Sequence, residues 1–379
     1  MSPQPHILVD ATAIPRNRGG VGRYLEHLIP ALDRLDVRLS VVCQGHDVGW
    51  LQAAAPGAIV RASTIASRSR PVRLAWEQVG LPRLARRIGA SVIFSPHYTM
   101  PLLSSIPTVV TLHDATFFSH PQLHSKEKGF FFRWWSKRSL ARAAACIVPS
   151  QATRDELLTW AKPARDTMSV AYHGVDLEQF HSPSAAELAA AGALVDGSPR
   201  WIAFLGTLEP RKNVGNLVRA FSTLALRPDG GDLQLALAGG RGWDTELDAL
   251  IDSSPVRDRI RRLGFVDDDA LAGLLGGAQM VVYPSLGEGF GLPVLEAMAC
   301  GAPVVTTNLL ALPEVGGDVA VYSEPDAASL TSAIAGLLAD APQRADRSRR
   351  GIERAHEFTW AASARAHLTV FRASARKGD

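Results

Sequence analysis

MVVYPSLGEGFGLPVLEAMACGAPVVTT, residues 280–307, reads as a strand, its exit loop, a helix and the next strand. The run MVVYPS is short, apolar and rich in strand-forming residues, and PVVTT repeats that signal after the helix. LGEGFG forms the turn between strand and helix, and Pro293 suits a first helical turn, where a missing N–H does no harm. Glu296 then lies about one turn into an otherwise apolar helix, between Leu295 and Ala297. A buried carboxylate without partners costs several kcal/mol, so Glu296 either sits on an exposed stripe or meets donors such as the hydroxyls of a ribose. The N–H groups of Gly289, Phe290 and Gly291 stand where a helix N-terminus receives a phosphate or sugar oxygen.

The same alternation runs through the rest of the chain. Strand-like runs fall at His6–Asp10, Leu39–Cys43, Ile59–Arg61, Ser91–Ser95, Thr108–Leu112 and Cys146–Pro149. Helical patterns fill Val21–Leu35, Val72–Ile88 and Glu127–Ala144, and Ser150 is placed to cap the helix that opens at Gln151. The alternation weakens across HSPSAAELAAAGALVDGSPR (181–200). It resumes at WIAFLG (201–206), LQLALAG (233–239), MVVYPS and PVVTT. Strands alternating with helices predict α/β architecture with parallel, doubly wound sheets. At 379 residues the chain exceeds what one core normally serves. Two such domains are expected, 1–185 and 186–355. The stretch 356–379 is expected to be a helix that crosses back onto the first domain through Trp360, Leu368 and Phe371.

Bulk properties narrow the function. Forty basic and 37 acidic residues give a net charge of +3, which argues against a protein that coats nucleic acid. The three cysteines, Cys43, Cys146 and Cys300, are scattered in apolar stretches and read as reduced core residues. The start, MSPQPHILVD, lacks a signal-peptide pattern, and no run approaches the roughly 18 apolar residues of a membrane span. A cytoplasmic protein, at most peripheral at the inner face of the membrane, is expected.

In open parallel sheets ligands bind beyond the carboxyl ends of strands, so motifs just after strands carry the most weight. FLGTLEPRKN (204–213) is one, with Arg211 and Lys212 where two cations beside a helix start suit a diphosphate. A solvated basic pair is the plain alternative. VDDD (266–269) resembles an Asp-x-Asp metal motif, but its place before a helix favours a capping and dipole role.

Taken together, GGVGRYLEHLIPAL (19–32), WEQVGLPRL (76–84), FSPHYTMPL (94–102), TLHD (111–114), HGVD (173–176), GTLEPRKN (206–213), LGFV (263–266) and the double-glutamate block resemble a retaining glycosyltransferase of family 4. The resemblance covers essentially the whole chain, and GTLEPRKN and TLHD resemble those of bacterial mannosyltransferases. It implies the GT-B fold: two Rossmann-like, doubly wound parallel-sheet domains facing a cleft. It also implies a nucleotide-sugar co-substrate and no essential metal. By that likeness Glu296 binds the ribose, while Glu288 with the backbone of Gly289, Phe290, Gly291 and Leu292 holds the donor sugar. Arg211 and Lys212 neutralise the diphosphate, and Gly264, Phe265 and Val266 line the base pocket. Gly206 and Thr207 lie beside the phosphates, with Thr207 standing where many relatives carry arginine. Gly19 and Gly20 approach the donor or acceptor, His113 works near the reaction centre, and Asp10 and Asp114 are acceptor-side candidates.

The resemblance implies retention of anomeric configuration. The sequence offers no secure carboxylate nucleophile, which favours a same-face substitution in which the departing phosphate takes the acceptor proton. Mannose from GDP-mannose is the expected donor, ahead of UDP-glucose or another UDP-sugar, and the expected acceptor is a glycan or lipid-linked glycan. Readings from other classes are a sugar-nucleotide epimerase of related fold and a non-catalytic sugar-nucleotide binder. KEKGFFFRWWSKRSLARAAA (126–145) joins five large aromatics to six cations. It reads equally as an interfacial helix meeting an anionic membrane and as a core-packed helix with a basic edge.

Overall fold

The structure is a computed structural model that describes residues 4–14, 19–63 and 70–376. The chain forms two compact units, Met1–Gly174 together with Thr359–Asp379, and Val175–Phe358. The divisions at 174/175 and 358/359 differ from the expected 185/186 and 355/356. The second unit thus also takes in residues 175–185 and 356–358, and the Ala-rich stretch lies wholly within it. That stretch forms a largely exposed helix of the second unit, Ala185–Leu194, opened by a capping box between Ser184 and Glu187. Its Ala191 is buried, and it lies so close to helix Asp268–Gly276 that a Cβ on Gly273 would stand 2.1 Å from the Glu187 carbonyl oxygen.

The first unit is built on a seven-stranded sheet: β1 His6–Asp10, β2 Arg38–Cys43, β3 Ile59–Ala62, β4 Val92–Ser95, β5 Thr108–Thr111, β6 Ala145–Val148 and β7 Met168–Val170. The order is β3-β2-β1-β4-β5-β6-β7, every pairing parallel. Both faces are covered, which is why the middle of β1, Ile7–Val9, is an unbroken apolar run. Ile7 and Val9 pack with Tyr24, Leu25 and Leu28 of helix Gly20–Asp33. Leu8, on the other face, packs with Trp76, Leu81 and Ala85 of helix Arg70–Ile88. The second unit has six strands: β8 Trp201–Leu205, β9 Gln234–Ala238, β10 Ile260–Gly264, β11 Met280–Tyr283, β12 Val304–Thr307 and β13 Val321–Ser323. Their order is β10-β9-β8-β11-β12-β13, again all parallel. All three cysteines are buried and free.

The terminal helix Trp360–Ala375 belongs to the first unit and packs Ala364, Leu368 and Phe371 against Ile7, Tyr24 and Phe94. A polar tie runs through this apolar contact. The Tyr24 hydroxyl donates to His367 Nε2 at 2.6 Å and accepts from Thr111 Oγ1 at 3.1 Å, and His367 Nδ1–H donates to the Ser363 carbonyl at 2.7 Å. The chain returns so tightly that a Cβ on Gly174 would stand 2.2 Å from the Trp360 nitrogen. No described helix is long and apolar enough to cross a membrane.

Burial, with His113 adding to it, pushes the His367 imidazole down to about 4 from 6.5, against the Ser363 bond that favours the charged form. The folded state therefore prefers neutral His367. Its contribution is fully present above pH 6.5 and is lost as the pH falls from 6.5 towards 4, by roughly 3 kcal/mol in all. Replacing His367→Gln keeps an acceptor for Tyr24 and removes the titration. Urea unfolding between pH 4 and 6.5 should show a slope of stability against pH reduced by about one proton. An unchanged slope would mean His367 carries none of it.

Candidate functional site

In the second unit β8 and β11 are neighbours, and the chain runs outward from them to β9 and β10 on one side and β12 and β13 on the other. The loops leaving their carboxyl ends therefore open at a topological switch point. After β8 the chain passes Gly206 and the exposed Thr207 and forms a tight turn, Pro210–Lys212. Arg211 and Lys212 sit on this turn. The helix proper begins only at Val214, after Asn213 in the left-handed region at φ 59°. The Asn213 side chain donates to the carbonyls of Pro284 at 3.1 Å and Pro325 at 2.7 Å, fixing the turn to the loop after β11.

That loop supplies Glu288, which is 8% exposed. Glu288 Oε1 accepts from Lys212 Nζ at 2.7 Å, Ser285 Oγ at 2.6 Å and the Tyr283 hydroxyl at 3.0 Å. Its Oε2 pairs with Arg211 Nη1 at 2.8 Å. Arg211 also donates to the Gly287 carbonyl and, at 2.7 Å, to Glu209 Oε1. Lys212 donates in addition to the Tyr283 hydroxyl and lies over its ring. Burial alone would raise the Glu288 carboxyl, but the Arg211 and Lys212 cations hold it well below the usual carboxylate range. Burial lowers Lys212, with Glu288 opposing. Glu209, Tyr283 and Ser285 are members of this cluster that the motif reading did not single out.

Beyond Glu288, Gly291 stands at the helix start with φ 112°, a conformation that favours glycine, and Pro293 occupies the first turn of Leu292–Ala299. Glu296 is 2% exposed, on a helix buried from Val294 to Ala299, so the exposed-stripe alternative is ruled out. Gly289 is buried beside Phe290, whose ring packs at 5.8 Å on Phe358 in the core, leaving its backbone as the part able to meet a ligand. After β10, Gly264 is left-handed, Val266 packs on the core, and Phe265 is 77% exposed. The Phe265 ring lies so near Gly240 that a Cβ there would stand 2.8 Å from it. Asp267 holds the N-cap position without a side-chain cap bond, and Asp268 accepts from Gln179 at 2.6 Å.

In the first unit the switch point lies between β1 and β4. Buried Asp10 accepts from Thr12 N at 3.0 Å and Thr12 Oγ1 at 2.6 Å, and burial raises its carboxyl. His113, after β5, donates Nε2–H to the Pro96 carbonyl at 2.7 Å, which leaves Nδ1 as the acceptor. Burial lowers its imidazole, so it is neutral at neutral pH. Asp114 caps the next turn, accepting from Thr116 N and Oγ1 at 3.1 and 2.9 Å, and its charge raises the His113 imidazole against burial. His173 of HGVD is buried, stacks on Trp360 at 5.7 Å and lies 4.9 Å from Tyr24, and burial lowers its imidazole strongly. Gly19 and Gly20 open the exposed start of the first helix. In the helix Lys126–Arg142, Trp135 is buried and Phe132 stacks on Phe117. Phe130 is 68% exposed, and Trp134 is partly covered by Arg138. Core and interfacial features share this one helix.

Two Rossmann-like parallel sheets with polar clusters at their switch points define a GT-B protein. The model for glycosyl transferases group 1 matches residues 199–340, and that for glycosyltransferase family 4 matches residues 18–179. The chain is 32% identical to O-antigen chain mannosyltransferase B of Escherichia coli over 254 residues, 66% of each chain. It is 24% identical to O-antigen chain mannosyltransferase RfbU of Salmonella typhimurium, over 84% of this chain and 87% of that one. The solved Anabaena protein Alr3699/HepE, in complex with UDP and glucose, shares the fold with a TM-score of 0.77 at 18% identity, covering 97% of this chain and 99% of that one. The protein belongs to the family 4 glycosyltransferases.

Replacing Glu288→Gln leaves two adjacent, largely buried cations with one carboxylate between them. The expected loss at pH 7 is about 3–5 kcal/mol, read by urea unfolding. Because the folded carboxyl is depressed, its contribution is present above the unfolded value of about 4.3 and fades as the pH falls below it. The gap between variant and wild type should therefore narrow at pH 3. Equal stability at pH 7 would show that the cluster does not depend on this charge.

Proposed function

We propose that the protein is a retaining hexosyltransferase that moves mannose from GDP-mannose to a glycan or lipid-linked acceptor in cell-surface polysaccharide or glycolipid synthesis. The observation that carries this reading is the Arg211–Lys212 turn held by Glu288 at the β8/β11 switch point. The mannosyltransferase relative at 32% identity favours the sugar. On this reading the diphosphate meets Arg211 and Lys212, and the ribose meets Glu296. The base lies along Gly264–Val266, with the exposed Phe265 ring beside it.

Lys212 has three N–H donors and gives two to Tyr283 and Glu288, which leaves one for a phosphate oxygen. Such preorganised donors stabilise the charge that grows on the leaving diphosphate. Glu288 is a poor nucleophile here, because four donors already occupy its carboxylate. Same-face substitution follows: the bond from anomeric carbon to phosphate oxygen breaks, the acceptor oxygen bonds on that face, and its proton goes to the departing phosphate. A product of inverted configuration, read by NMR, would overturn this step. No divalent ion is required by it. Gly19, Gly20 and neutral His113 are the first unit's candidates for the sugar and acceptor, with Asp10 and Asp114 as its acceptor candidates.

The exposed Phe130 and Trp134, among the cations of their helix, suit peripheral contact with an anionic membrane. Flotation with anionic vesicles should carry the protein upward, and its absence from the floated fraction would remove that contact. For the donor, calorimetry with GDP, UDP and ADP is the direct test. GDP should bind best, and Glu296→Ala should weaken it by about tenfold or more, the effect of losing hydrogen bonds to a charged group. Preferential UDP binding would replace GDP-mannose by a UDP-sugar, and no nucleotide binding by the folded protein would overturn the proposal.

A further inference from the structure

The tripeptide Trp76-Glu77-Gln78 has no part in the donor and acceptor assignments. Trp76 is a core residue, but the two polar side chains beside it converge on a single loop. Thr99 Oγ1 donates to Glu77 Oε2 at 2.6 Å. Gln78 Nε2 donates to the Met100 carbonyl at 2.9 Å, and Gln78 Oε1 accepts from Leu102 N at 2.9 Å. Arg73, one turn earlier, pairs with the same Glu77 oxygen at 3.1 Å. Two adjacent side chains of one helix thus hold loop residues 99, 100 and 102. Glu77 is 1% exposed, and a carboxylate is not set in such a place for packing.

The loop is one that has to be held. Tyr98 has φ 54°, left-handed backbone that a residue with a Cβ adopts only when its surroundings impose it. Thr99 N–H closes back on the His97 carbonyl at 2.5 Å, Tyr98 N–H donates to Thr111 O at 3.0 Å, and Ser139 Oγ donates to Tyr98 O at 2.7 Å. The loop in turn offers two acceptors to the exit of β5. The Pro96 carbonyl takes the His113 Nε2–H, and the Tyr98 hydroxyl takes the Asp114 N–H at 3.0 Å.

We propose that Glu77 and Gln78 are positioning residues for His113: by clamping Thr99–Leu102 they hold Pro96 and Tyr98 where these fix the tautomer and direction of the imidazole. This rests on the reading above that His113 works at the reaction centre. The groups facing Glu77 are Asp10 from β1, Arg73 from its own helix and Thr99 from the loop. Burial first, then Asp10, raises the Glu77 carboxyl to about 7 against the pull of Thr99 and Arg73. Protonation near neutral pH weakens the Arg73 pairing and turns an acceptor into a competing donor, so the clamp loosens on the acid side.

Nitrogen-15 NMR of the His113 ring tests this on the full-length protein, with His113→Ala identifying the signal. Wild type should show one Nε2–H tautomer and an inflection near pH 7 that reports Glu77. Glu77→Gln should abolish that inflection, and Gln78→Ala and Thr99→Val should bring a mixture of tautomers. Each variant should also slow GDP release from GDP-mannose through kcat, by between about tenfold and a hundredfold, with KM little changed. Folded variants that keep the wild-type His113 spectrum and its pH 7 inflection overturn the proposal. If the spectra move as expected while His113→Ala itself turns over like wild type, the clamp is upheld and the placing of His113 at the reaction centre fails.

Discussion

Arg211 and Lys212 are consecutive, largely buried cations on the turn that follows β8, and the carboxylates of Glu288 and Glu209 make their proximity tolerable. Without Glu288, two like charges a few ångströms apart in a low dielectric would repel strongly or lose a proton. With it, one oxygen gathers Lys212, Tyr283 and Ser285, and the other takes Arg211. The backbone is tied in as well: Arg211 reaches the Gly287 carbonyl, and Asn213 reaches that of Pro284. The turn after β8 and the loop after β11 are thereby one object.

The first unit solves the same problem differently. Beyond β5 and β7, and on the terminal helix, it sets neutral histidines. His113, His173 and His367 all have imidazoles lowered by burial, and Tyr24 links the last of them to Thr111. A neutral imidazole with Nε2–H donated to Pro96 offers a directed acceptor and no net charge. Within the first unit, then, a sugar hydroxyl would meet hydrogen-bonding geometry, whereas a phosphate at the second unit would meet ionic groups. Left-handed backbone occurs in both units, at Asn213 in the second and at Tyr98 in the first, and at Tyr98 it is the polar residues of a neighbouring helix that hold the loop.

Much of this was legible in the sequence, for a physical reason. Strands buried on both faces, such as β1, β8 and β11, must be unbroken apolar runs, and they announce themselves. The strands that escaped reading, β7, β10 and β13, are edge strands or three residues long, and IRRLG of β10 carries two arginines on a partly exposed edge. The alternation weakens around Ala185–Leu194 because its small residues serve a tight helix contact that only the approach of Gly273 reveals. In the site, Arg211, Lys212, Glu288 and Glu296 stood out as charges placed after strands. Glu209, Tyr283 and Ser285 did not, since their role depends on the parallel register that sets β8 beside β11. The loop partners of Glu77 and Gln78 were equally hidden: they lie 22 to 24 residues away, on a loop whose shape is set by tertiary contacts.

The charge count of the second cluster bears on how it would handle a diphosphate. Glu209 and Glu288 balance Arg211 and Lys212, so the cluster has no net charge to offer. A site that attracted phosphate by excess charge would need its cations bare, and burial would then strip the proton from Lys212, whose ammonium is already lowered. The carboxylates keep both cations protonated and fixed in direction before any ligand arrives. What a phosphate would gain is oriented N–H groups in a dry setting, which need no reorganisation as charge develops on the leaving oxygen. On that argument Glu288 serves the reaction by holding the donors, and its own contact with the sugar becomes secondary.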